Sequence, residues 1–145
     1  YSKLGKNYDL NRLYGKNFMV NKVVENMLGN IDIIVDLHEG WGFHKINNKS
    51  IGNTIITKNI KKKNINFIIN RVNKNIVDDY KKIAHLSTLK NKKHSLRDFF
   101  LKKFPKKKYI LIETSGQNNI QKLDIRVNQT INIIESIFSI YNIIK

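Results

Sequence analysis

Two stretches of the chain are continuous apolar runs that end abruptly in polar residues. Ile33-Ile34-Val35 leads into Asp36-Leu37-His38-Glu39-Gly40, and Tyr109-Ile110-Leu111-Ile112 leads into Glu113-Thr114-Ser115-Gly116. Short apolar runs of this kind, bounded by turn residues, predict strands buried on both faces. The first strand is expected over Ile31 to His38 and the second over Tyr109 to Thr114. Elsewhere the apolar period lengthens. Positions 18, 20, 23, 24, 27 and 28 predict an amphipathic helix from Phe18 to Leu28, stopped by Gly29-Asn30. Ile65, Ile68, Ile69, Val72, Ile76 and Ile83 predict a helix from Ile65 to about Ala84. Apolar residues at 127, 131, 134, 137, 138, 141 and 144 predict another from about Leu123 to Ile144.

The connecting segments carry turn chemistry. Asn47-Asn48-Lys49-Ser50 is a turn cluster before a short strand over Ile51 to Ile56. Ser95-Leu96-Arg97-Asp98 resembles a capping box with Asp in the glutamate position, opening a short helix through Phe104 that Pro105 ends. Tyr8 to Gly15 reads as a loop or short extended piece, and Ser115 to Gln121 as a polar loop. Strands alternating with helices predict an α/β fold, a parallel or mixed sheet covered by helices. With no internal repeat and no break in composition, residues 1–145 are expected to form one domain. The first residue is Tyr1 and the opening segment reads as mid-domain sequence, so further chain is expected upstream. No apolar run is long enough to span a membrane.

Charge changes this picture only at the surface. The formal net charge of +16 invites a nucleic-acid reading, because clustered basic groups bind phosphates by releasing counterions. The excess is nearly all lysine, in short tracts at Lys61–Lys63, Lys90–Lys93 and Lys106–Lys108, beside element boundaries. Arginine, which forks onto phosphates and base edges, occurs only at 12, 71, 97 and 126. A solvated lysine-rich surface accounts for the tracts, with steering of an anionic substrate as their mildest function. A nucleic-acid partner is therefore the weaker reading. Cysteine is absent, which excludes disulfides and thiolate metal sites within this stretch.

Candidate chemistry sits where the two apolar runs end. In open α/β sheets ligands bind outside the carboxyl ends of the strands, the location expected for His38 and Glu113. A lone histidine after a strand is most often a core residue satisfied by backbone. Here Asp36 can orient its ring, and Gly40 and Gly42 would allow close approach of backbone to a ligand. A carboxylate directly after Ile110-Leu111-Ile112 is costly to bury without a partner, so Glu113 needs either an arginine or a catalytic role as general base. Arg12, following Asn11, offers a planar fork for a substrate carboxylate, with the Asn11 amide as a further donor. His44 suits packing or substrate contact better than ligation, and His85 and His94 are expected at the surface. Neither HExxH nor HxxE occurs, whereas a catalytic zinc takes three protein ligands.

Asp9-Leu10-Asn11-Arg12, Asp36-Leu37-His38 and Ile112-Glu113-Thr114 resemble, in order, motifs of the zinc carboxypeptidase superfamily and its succinylglutamate desuccinylase–aspartoacylase branch. The resemblance spans nearly the whole chain and extends to the stretch from Gly116 to Asn128. It implies that the chain is the C-terminal portion of a carboxypeptidase-like catalytic domain, incomplete at its N-terminus. It further implies His38 as a zinc ligand, Glu113 as the catalytic glutamate, and Asn11 with Arg12 as the pair that binds the substrate's free carboxylate. The remaining zinc ligands would come from an HxxE-type motif upstream of Tyr1. The expected activity is zinc-dependent hydrolysis of an amide bond next to a free carboxylate, in a small peptide or an acylated amino acid. Two other readings stay open: an inactive, truncated homologue and a basic nucleic-acid-binding module.

Overall fold

A computed structural model describes residues 9–88 and 92–143. Tyr8, Lys90 and Ile144, which bound or fall within three of the stretches above, lie outside the described residues. The centre of the molecule is β4 (Lys108–Ser115), which is almost wholly buried. β1 (Ile33–Gly40) runs parallel to it on one side and β2 (Thr54–Lys58) antiparallel on the other. β3 (Ala84–Leu86) pairs in parallel with β2, giving a mixed four-stranded sheet of order β1-β4-β2-β3. Among the described residues four α-helices cover it: α1 (Met19–Met27), α2 (Lys62–Asn73), α3 (Leu96–Lys103) and α4 (Leu123–Tyr141). The α/β class and the mixed sheet agree with the sequence pattern.

Because successive strand residues point to opposite faces, the apolar runs of β1, β4 and β2 build two cores. Ile55, Ile110 and Ile112 meet Ile68 and Val72 of α2 and Ile133 and Ile137 of α4 on one face. Ile34, Ile56, Tyr109 and Leu111 meet Phe100 of α3 and Leu28, just past α1, on the other. The Ser95 hydroxyl caps α3 by accepting from the Asp98 N–H at 3.1 Å. The Asp98 carboxylate closes the turn onto the N–H of His94 at 3.1 Å, so the reciprocal half of the box falls one residue early. Lysine 107, from one of the basic tracts, donates to the Leu28 and Gly29 carbonyls at 3.2 and 2.5 Å and satisfies the end of the α1 segment.

Two expectations are corrected. β1 is not buried on both faces: it lies at the sheet edge, and Leu37 is 50% exposed. The helix expected over Ile65 to Ala84 stops at Asn73, whose side-chain amide exchanges two hydrogen bonds with the backbone of Ile83, at 2.8 and 2.9 Å. A short strand begins at Ala84, where helical periodicity had been extrapolated. The apolar face of α1 seats only Val24 and Leu28 on the core, while Val20, Val23 and Met27 are exposed beside the sheet edge. Among the described residues no helix is long and apolar enough to cross a membrane.

Ile112 sits at the middle of β4 and is 1% exposed, whereas Leu123, at the start of α4, is 63% exposed. Ile112→Ala is expected to lower the unfolding free energy by about 3 kcal/mol and Leu123→Ala by less than about 1 kcal/mol, as read by urea denaturation.

Candidate active site at the carboxyl ends of β1 and β4

The parallel register of β1 and β4 pairs Asp36 with Leu111 and His38 with Glu113. Residues 36, 38, 111 and 113 therefore face the same side of the sheet, above the core that α3 covers. A cleft of about 450 Å³ opens there, and Asn11, Arg12, His38 and Glu113 all line it. Residues distant in sequence are thus brought together by one strand pairing and by the turn at Leu10–Arg12.

That turn is fixed at both ends. The Asp9 carboxylate accepts from the Asn11 N–H at 3.0 Å, and the Asn11 side-chain oxygen accepts from the Leu96 N–H at 2.8 Å. The second bond ties the turn to the first turn of α3 and leaves the Nδ2 end of the Asn11 amide as its donor. The Arg12 guanidinium donates to the Asn11 carbonyl and lies 3.8 Å from the Asp9 carboxylate.

His38 and Asp36 are two residues apart on one strand face, with His38 Nε2 3.0 Å from Asp36 Oδ1. The other Asp36 oxygen accepts from the Tyr109 hydroxyl. Burial alone would raise the Asp36 pKa, but the hydrogen bonds from His38 and Tyr109 outweigh it and hold the carboxyl below its ordinary range. The bond to Asp36 raises the His38 pKa against the opposing effect of burial. Glu113 is 6% exposed, and burial pushes its carboxyl up to about 7; His38 and Lys92 oppose the shift and Asp36 adds to it. A carboxyl that gains and loses its proton near neutrality is suited to general acid–base work.

The cleft also contains Trp41 and four residues the sequence reading did not assign to it: Lys49, Lys92, Arg97 and Gln117. Arg97 follows the Ser95 cap, and the capping pattern that located α3 was the available signal for its position. Arg126, Arg71 and Tyr80 do not line the cleft. Arg126 is buried against Glu39 and the Gln121 carbonyl, Arg71 pairs with Glu135 at 2.7 Å, and Tyr80 packs edge-on against Phe43. His44 Nδ1 is 2.9 Å from the Ser50 carbonyl, a bond within its own loop. His94, expected at the surface, is half-buried, with Nδ1 3.1 Å from the Tyr14 carbonyl.

Gly40 and Gly42 are required by the fold of the loop. A Cβ on Gly40 would stand 2.9 Å from the Gly52 nitrogen, and Gly42, at φ +63°, would bring one to 2.3 Å from the Ser50 hydroxyl. The glycines let residues 40–52 fold tightly onto themselves. The loop is anchored by Asn53, whose amide accepts from the Ser115 N–H and donates to Gln121 and the Lys81 carbonyl.

Among the described residues no group of three or more His, Cys, Asp and Glu side chains is arranged to hold a metal ion. Searches of family models, of characterised proteins and of solved structures found no match to the chain.

The raised carboxyl of Glu113 has a consequence for stability. A group whose pKa rises on folding, here from 4.5 to about 7, favours the native state while protonated. That contribution is complete below the unfolded pKa and is lost as pH climbs through the folded one. In chelator-treated protein, Glu113→Gln is expected to raise unfolding free energy at pH 8 by on the order of 2 kcal/mol and to flatten its decline between pH 5 and 8, measured by denaturant titration.

Proposed function

We propose that the cleft belongs to a zinc-dependent hydrolase that cleaves an amide bond next to a free carboxylate, of the carboxypeptidase or N-acyl amino acid deacylase type. The observation that carries this reading is the convergence of His38, Glu113, Asn11 and Arg12 on one cleft, with Glu113 buried and titrating near neutrality. The order of the three motifs, and their resemblance to the zinc carboxypeptidase superfamily, agree with it.

The residues fit zinc in part. With Nε2 engaged by Asp36, His38 offers Nδ1 as a ligand atom, and a carboxylate on the far ring nitrogen is the usual support of a metal-binding imidazole. One imidazole does not make a site, so on this reading the other two ligands come from outside the described residues. Zinc, when bound, polarises the scissile carbonyl and makes water a better nucleophile near neutral pH. The chain's own groups supply the rest. Arg12 and the Asn11 amide bind the substrate carboxylate and set the distance from it to the reacting bond. Glu113 takes a proton from the attacking water and returns it to the leaving nitrogen. The fold of the whole enzyme is, on the same reading, carboxypeptidase-like.

The test is hydrolysis, by zinc-supplemented intact protein, of dipeptides and N-acyl amino acids with a free or an amidated terminal carboxyl. Cleavage of the free acids alone is expected, with a loss of at least about 100-fold in kcat for Glu113→Gln and a raised KM for Arg12→Ala. No zinc-dependent cleavage, together with equal zinc content in wild type and His38→Ala, would contradict the proposal.

A further inference from the structure

Tyr109 is the first fully buried residue of β4, 0% exposed, with its ring 5.7 Å from that of Phe100 in the core beneath the cleft. A tyrosine at such a depth needs a partner for its hydroxyl, since an unpaired buried O–H is costly. That partner is Asp36 Oδ2, and the other oxygen of the same carboxylate faces His38 Nε2 at 3.0 Å. Register explains the arrangement: residue 109 pairs with residue 34, so the phenol reaches along the sheet surface to the next residue on that face, Asp36. The carboxylate therefore receives one proton donor from the core and one from the cleft.

This geometry constrains the imidazole. An ionised carboxylate only accepts, so the ring nitrogen facing it must carry the proton. With one carboxylate oxygen accepting from the Tyr109 hydroxyl and the other facing the ring, the geometry assigns the His38 proton to Nε2 and leaves the Nδ1 lone pair for a ligand. Without the phenol, the Asp36 carboxylate would keep one donor and gain freedom to turn about its side-chain torsion, and the ring would lose its fixed partner.

We propose that Tyr109 is a positioning residue of the cleft: through Asp36 it holds His38 in the Nε2-protonated tautomer, with Nδ1 presented to the ligand. The phenol does not touch substrate, and its effect passes through the carboxylate. The role in metal binding rests on the hydrolase reading. The tautomer itself does not.

The experiment is nitrogen-15 NMR of the imidazoles in full-length, chelator-treated protein, above the pH at which His38 titrates. Wild type and Tyr109→Phe are compared, with zinc affinity measured alongside. In wild type, His38 is expected to show a protonated Nε2 and an unprotonated Nδ1. In Tyr109→Phe, with the backbone amide spectrum of a folded protein, the two nitrogens should move toward averaged values, and zinc affinity should fall about tenfold. A wild-type His38 protonated on Nδ1 would overturn the proposal whether or not the variant folds. So would a folded Tyr109→Phe protein whose imidazole signals match those of wild type. A fixed tautomer that Tyr109→Phe releases, in a protein that binds no zinc, would support the positioning role while removing the zinc reading.

Discussion

The parallel pairing of β1 with β4 is the constraint on which the cleft depends. It sets His38 directly across from Glu113 and Asp36 across from Leu111, so three ionisable side chains and a buried tyrosine share one sheet face. A one-residue slip would send Glu113 to the face packed by α2 and α4, where Ile110 and Ile112 now meet Ile133 and Ile137. Burying a carboxylate among those isoleucines would cost far more than the slip could return. The two apolar cores therefore fix the register, and the register assembles the cleft.

Around that pairing, the walls are held by polar contacts that leave little freedom. Asn53, Gln121 and Gln129 are each about 1–2% exposed and bond to one another. They join the tight 40–52 loop to the segment after β4. Arg126 continues the lock by reaching the Gln121 carbonyl and Glu39. Neighbouring residues of β1 thus divide their work: Glu39 is tied to α4 on one face while His38 faces the cleft on the other. The site is carried mainly by strand ends, the turn at Leu10–Arg12 and the start of α3, the last two fixed by side-chain caps on their backbone N–H groups.

Much of the fold was legible in the chain because local pattern and tertiary structure agree. The β4 run, the α4 periodicity and the Ser95 cap appear nearly where the sequence put them. The disagreements have physical causes. A burial pattern cannot distinguish an edge strand from a central one, so β1 was read as buried when its neighbour lies on one side only. Ile76 and Ile83 kept an apolar spacing after the helix had ended, because Asn73 captured the Ile83 backbone, a side-chain bond that periodicity does not encode. In the cleft, His38 and Glu113 were findable as polar residues ending apolar runs. Arg97 was placeable only as part of the capped start of α3, and Lys92 not at all, since their approach to the cleft depends on how that start meets the Leu10–Arg12 turn. Tyr109 read as plain core, and its link to Asp36 follows only from register.

Strand pairing brings Glu113 into a buried position beside His38 and Asp36, where burial raises its carboxyl toward neutral pH. The most direct measurement is a carbon-13 NMR titration of the Glu113 side-chain carboxyl in the folded, metal-free protein. A midpoint at about 7 is expected. A midpoint near the ordinary 4.5 would mean that the carboxyl is solvated, and would contradict the account.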